Sequence, residues 1–241
     1  MRKGTIFKYE LRRLLLSKEY LLLLIAVLAY SFSLLRSLVM FGTDYTAPFS
    51  RWTFCTYISS VSPILLILLL ALCARQFTAS ERGAMSIIAA APMPVSVFRS
   101  IRYAAIACAF LIAAVLSLGI CFAFYWFVFD YTAFGGLACS GLMLIFPPSL
   151  LIFGAAMLLG NRKSILAYIL MATILIVGVF GMSIPACIDI IGGSATQQLN
   201  AGVHDFAFSS AFIAGRIAFV IAGIACIIIS LRLPHKGKTL C

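Results

Sequence analysis

Apolar positions run through this chain in six long blocks, each bounded by charged, aromatic or Gly/Pro-containing stretches. The blocks are Tyr20–Phe41, Thr53–Ala74, Tyr103–Phe129, Ala133–Leu159, Ile165–Ile188 and Ser210–Leu231. A helix that crosses a bilayer needs about 20 apolar residues, at about 1.5 Å of rise each, to cover roughly 30 Å of hydrocarbon. All six blocks meet that length. The pattern predicts an all-α, polytopic membrane protein with six transmembrane helices in one domain, residues 1–241. Residues 1–19 are read as an interfacial helix, 75–102 as a cytosolic loop and 189–209 as an extracellular loop.

Polar positions ahead of the first block have helical period. Over Ile6 to Lys18, Phe7, Leu11, Leu14 and Leu15 share one face, and Lys8 and Arg12 lie on another. Such a helix suits the boundary between headgroups and acyl chains, held by apolar burial and anionic lipid. It serves equally as a basic topology anchor. The apolar run after it is too long for the core of a secretory signal peptide.

Composition agrees with the pattern. Of 241 residues, 63% are hydrophobic and 10% charged, and the mean hydropathy is +1.13. Soluble domains carry about 25% charged residues, so a water-soluble enzyme and a disordered chain fit poorly. The net charge of +11 raises the question of a nucleic-acid partner. Its distribution argues against one. With the N-terminus in the cytoplasm, 15 of the 18 Lys and Arg residues fall on the cytosolic side. Arg51 lies in an outer loop, and Arg36 and Arg216 lie inside spans. Such a bias sets membrane orientation, so both termini are expected in the cytoplasm of a bacterial cell, with the chain in its plasma membrane. Asp44, Asp130, Asp189 and Asp205 fall outside. Aromatic residues collect near that outer face: Tyr45, Trp52, Tyr57, Tyr125, Trp126 and Tyr131, with Phe206 and Phe208. The eight cysteines show no paired or metal-ligand spacing, and read as small apolar packing residues.

One inner loop is long, RQFTASERGAMSIIAAAPMPVSVFRSIR over 75–102. Its charged opening, Glu81-Arg82-Gly83, is followed by the apolar run Ala84 to Ala91, with Ile87 and Ile88 at its centre. Two helical turns fit there. Pro92 and Pro94 stop them, since proline lacks an N–H and restricts the residue before it. Ser96 is placed to cap the next helix. An exposed apolar helix of this kind usually meets a partner.

These residues resemble the coupling-helix region of ABC-2-type transporter permeases. The matching elements are Glu81-Arg82-Gly83, then Met93-Pro94-Val95-Ser96, then Arg102. Ala84 and Ser86 stand where many members have Thr and a second Glu. The basic helix before the first span and the long loop between spans two and three also match the family layout. The resemblance implies a permease subunit, not itself an enzyme, that forms the pathway for ATP-driven export. Amphipathic or hydrophobic cargo is implied: a peptide or bacteriocin, a drug or a lipid-like molecule. It implies two cytosolic ATPase subunits that bind ATP and Mg, and a second permease chain in a homodimer or heterodimer. Glu81, Arg82, Gly83, Ile87, Ile88, Pro92, Pro94 and Ser96 then carry ATPase coupling. This chain binds no cofactor in that reading. Gly237-Lys238-Thr239 lacks the earlier glycine of a phosphate loop and has no helix after it.

Arg36 and Arg216 are the strongly charged residues inside spans, each roughly 10 Å from the outer end by helical rise. Intramembrane charge is costly and often functional. Either side chain can snorkel to the headgroups, pair with Asp189 or Asp205, or touch an anionic part of the cargo. Pro63, Pro147-Pro148 and Pro185 are expected to interrupt their helices, as kinks that shape packing or as hinges during alternating access. Ala214, Ala218 and Ala222 form a small-residue stripe suited to packing inside the chain, or to a dimer seam.

Two other function classes have some footing. Rhomboid-type intramembrane proteases also use six spans, with serine on the fourth and histidine on the sixth. Here Ser140 and His204 are the available pair, but His204 falls in the loop before the sixth block. A secondary transporter places acids near mid-membrane, and none of the seven acids falls there.

Overall fold

The computed structural model describes residues 3–43, 46–78, 81, 94–180, 185–195 and 206–232. All regular structure among them is helical. Helix α1 spans Lys3–Leu15, and α2 spans Lys18–Leu34 and continues as a π-helical turn, Leu35–Val39. Then come α3, Arg51–Arg75, α4, Val95–Phe129, α5, Phe134–Arg162, and α6, Ser164–Phe180. A short 3-10 turn, Gly193–Ala195, precedes α7, Ser210–Arg232.

Local chemistry sets several boundaries. Ser17 and Ser50 are extended and use their hydroxyls to accept the Tyr20 and Thr53 amides, at 3.4 and 3.2 Å. Those bonds satisfy amides that the first helical turn leaves open. Asp130 ends α4 in the left-handed conformation, φ 49°, which Asp tolerates better than most residues. Pro94 sits at the N-cap position of α4, without a side-chain cap. Ser96 is exposed within the first turn and is not the expected cap, because the helix starts one residue before it.

Among the described residues, five helices are long and apolar enough to cross a membrane: Lys18–Val39, Arg51–Arg75, Ser96–Phe129, Phe134–Arg162 and Ser210–Arg232. The block expected over Ile165–Ile188 differs. Its helix is described for 17 residues, to Phe180. By Pro185 the chain is already in a turn closed by the Ile188 amide on the Pro185 carbonyl, 2.9 Å. Proline has no N–H to continue a helix, so Pro185–Ile188 belongs to a connection. At Pro63 and Pro147-Pro148 neither helix is broken. Both α3 and α5 run through these prolines, as packed membrane helices tolerate.

Helix α3 forms the centre, with 72% of its most apolar window buried, against 22% for α2 and for α7. The outer helices turn large apolar side chains outward. On α7 these include Ile213, Ile217, Ile221 and Ile224. Ala214, Ala218 and Ala222 share that exposed side, so they do not pack inside the chain. The inward side of α7 carries Phe212, Gly215, Arg216, Gly223 and Ser230. Its crossing with α5 is close: a Cβ on Gly154 would lie 2.5 Å from the Gly223 carbonyl oxygen.

The helix ends collect at two poles. The starts of α2 and α4 meet the ends of α3, α5 and α7 at one pole, which carries Arg75, Arg99, Arg102, Arg162 and Arg232. The other pole is aromatic. Trp52 meets Phe206 edge-on at 4.9 Å, and Phe49 stacks on Tyr131 at 5.3 Å. The belt read from the sequence is thus partly a packed cluster.

Candidate functional site

Helix α1 packs along α4 through the apolar face expected for it: Leu14 is buried, and Phe7, Leu11 and Leu15 are partly buried against the core. Lys8 and Arg12 are exposed. One polar residue breaks the pattern. Glu10 lies on the inward face and is 7% exposed.

Its partners explain why. Arg13 reaches Glu10 at 3.0 Å, one helical turn away, and Glu81 at 3.1 Å. Arg102, in the second turn of α4 and 4% exposed, lies 3.7 Å from Glu10 and donates to the Glu81 carboxylate. Two carboxylates and two guanidiniums therefore form one closed, neutral cluster. It joins α1, the residue that opens the 81–96 segment, and the start of α4. Burial favours the neutral carboxyl of Glu81, but Arg102 and Arg13 outweigh that effect and hold it below its ordinary value of 4.5. A buried carboxylate is tolerable only when paired and hydrogen-bonded in this way.

A second polar group lies beside this joint. Asn161, near the end of α5, donates to Ser230 at 2.8 Å and to the Tyr103 hydroxyl at 3.3 Å. Tyr103 and Ser230 are themselves 2.8 Å apart. This clasp ties α5 and α7 to the residue that follows Arg102. Phe77 covers the same corner, since a Cβ on Gly160 would fall 2.1 Å from its ring. Together the joint and the clasp connect α1, α4, α5 and α7 at the basic pole.

Among the site residues expected from sequence, Glu81 is in the joint, Pro94 precedes α4, and Ser96 faces outward. Arg82, Gly83, Ile87, Ile88 and Pro92 lie outside the described residues, as do the apolar run Ala84 to Ala91, His204 and Asp205. Ser140 donates to the Gly136 carbonyl one turn back, 3.1 Å. Arg36 is exposed in the π-helical turn, where it lines a groove of about 410 Å³ with Ala29, Phe32, Ser33 and Ser37. Arg216 is instead 2% exposed, which rules out snorkelling. It makes no direct ion pair with Asp189 within 4.0 Å.

Glu10, Asn161 and Ser230 were missed from sequence. Glu10 did carry a signal, a lone acid among Lys8, Arg12 and Arg13 on the apolar side of an amphipathic helix. No comparable signal marked Asn161 or Ser230.

No protein-family model matches this chain, and neither a curated protein nor a solved structure does. The shape is that of an all-helical protein compatible with a membrane.

Proposed function

We propose that this chain is the membrane-spanning permease subunit of an ABC-2-type exporter. The basic pole faces the cytoplasm in this reading, as the Lys and Arg bias favours. Helix α6 supplies a sixth crossing. Its 17 described residues rise about 26 Å, which a modest local thinning of the bilayer accommodates.

The observation that carries the proposal is the place of Glu81. It opens the segment that resembles a coupling helix, and it is held by Arg13 of α1 and Arg102 of α4. A push on that segment by a cytosolic ATPase would pass through charged contacts into the surface helix and into a helix 35 residues long. ATP and Mg belong to the partner ATPases, and this chain supplies the lever. Packing supports a second permease copy. The apolar pocket between α4 and α5 holds about 50 Å³, too small for an amphipathic peptide, a drug or a lipid-like molecule, and in this reading two chains share the pathway.

The test is purification of the tagged full-length chain from its native membrane, followed by mass spectrometry. An ABC ATPase in stoichiometric amount is expected, and its consistent absence under mild solubilisation contradicts the reading. In the reconstituted complex, Gly83→Pro or a charge inserted at Ile87-Ile88 should leave ATP hydrolysis running without transport. Transport that stays coupled in both variants removes the segment from the mechanism.

A further inference from the structure

At the aromatic pole two buried opposite charges lie close together without touching. Nε, Nη1 and Nη2 of Arg216 all lack a hydrogen-bond partner. The guanidinium lies over the Phe212 ring, 4.4 Å from its centroid. Cation–π attraction of this kind offsets part of the desolvation. It does nothing for the buried N–H groups, which remain costly. Asp189 is the nearby acid within electrostatic reach and is 4% exposed. Its carboxylate is occupied elsewhere: Oδ1 accepts the Ile191 and Gly192 amides at 3.1 and 2.8 Å, and Oδ2 accepts the Ser194 amide at 2.6 Å.

The segment that carries Asp189 is a strap laid directly on two helices. A Cβ on Gly215 of α7 would lie 2.3 Å from the Cys187 carbonyl oxygen. Gly192, at φ +95°, has Leu144 of α5 on one side, and a Cβ there would lie 3.3 Å from Nη2 of Arg216.

We propose that the strap Pro185–Ala195 is a two-position latch in which Asp189 exchanges the amides of its own turn for the guanidinium of Arg216. In the position described, the turn is closed and Arg216 is held in reserve against Phe212. In the other, the carboxylate pairs with Arg216, the three amides are released, and the strap lifts from Gly215 and Leu144. Each position satisfies one set of buried donors at the expense of the other. That balance keeps the two within reach of one another. The latch is independent of the exporter reading and would stand if no ATPase bound this chain.

The test is hydrogen exchange of the full-length chain in lipid nanodiscs, read at the Ile191, Gly192 and Ser194 amides. Arg216→Gln removes the competing partner, so these amides should exchange about tenfold more slowly than in wild type. If Arg216 only holds Asp189 in place, directly or through a bridging water, the substitution leaves exchange unchanged or speeds it. Either result overturns the latch. Should Arg216→Gln fail to fold, the wild-type backbone decides. Spin labels on ketone-bearing residues introduced at Ile188 and Trp126, both exposed, should report two distances. A single narrow distance overturns the proposal.

Discussion

The two poles handle buried charge in opposite ways. At the basic pole, Glu10, Arg13, Glu81 and Arg102 are mutually paired, and each carboxylate meets two guanidiniums. At the aromatic pole, Arg216 and Asp189 are buried more deeply than Arg13 or Glu81, but they do not pair. A closed cluster resists rearrangement, because removing any member strands a charge in a poor solvent. An unclosed pair has an alternative arrangement available. In the two proposals above, the basic pole transmits a displacement and the aromatic pole changes state.

The largest effect should come from opening the closed cluster. Arg102→Ala leaves Glu10 and Glu81 sharing Arg13, and stability should fall by about 3–5 kcal/mol. Thermal unfolding in detergent, followed by circular dichroism, measures it. A loss under 1 kcal/mol would mean that water reaches the joint and that its rigidity is overstated. The same cluster gives a pH signature. The Glu81 carboxyl titrates below 4.5 in the folded chain. Its stabilising contribution is therefore complete above the ordinary carboxylate value and is lost as pH falls through the depressed one. Acid unfolding of wild type and Glu81→Gln should converge there, with the wild type more stable at neutral pH.

A smaller loss is expected where α5 and α7 cross between the poles. In Gly223→Ala the new methyl would sit 2.7 Å from the Leu150 carbonyl group. Backbone, not a flexible side chain, must then move, at a cost of about 1–3 kcal/mol. If the crossing transmits motion between the poles, strap exchange at Ile191 should change in this variant as well. Unchanged exchange would make the poles independent.

Much of this architecture could be read from hydropathy and charge alone. Long apolar blocks bounded by Arg and Lys predict helices and sort their ends, because a bilayer penalises unpaired backbone and charge strongly. The fifth block shows where that logic stops. Ile, Pro, Ala and Cys around 184–188 are apolar enough to extend a span, yet Pro185 turns the chain into the strap. Apolarity does not separate a helix from a covered connection. The joint was half legible. Glu81 and Arg102 stood out as motif positions, whereas Glu10 was hidden because its pairing with Arg102, 92 residues on in the sequence, depends on how α1 docks. Burial of Arg216, rather than exposure at the headgroups, followed from the facing of α7. That in turn depends on the Gly154–Gly223 crossing. The alanine stripe lies on the opposite, exposed face, which overturns its reading as packing inside the chain.

The smallest effect is expected at Arg36, and it sets the scale for Arg102 and Arg216. Arg36 is exposed and makes no ion pair with any described residue. It lies in the π-helical turn four residues before Met40, whose amide closes that turn on the Leu35 carbonyl at 3.0 Å. In the membrane orientation proposed above, the long side chain would reach the headgroup level. Arg36→Gln therefore removes a lipid-facing charge and no protein contact, and stability in neutral detergent should shift by no more than about 0.5 kcal/mol. In vesicles rich in anionic lipid the same variant should lose a stabilisation that the wild type gains, because only the guanidinium can pair with phosphate. A loss in detergent as large as that of Arg102→Ala would show that Arg36 has a protein partner. The contrast between a paired pole and an unpaired one would then have to be redrawn around all three arginines.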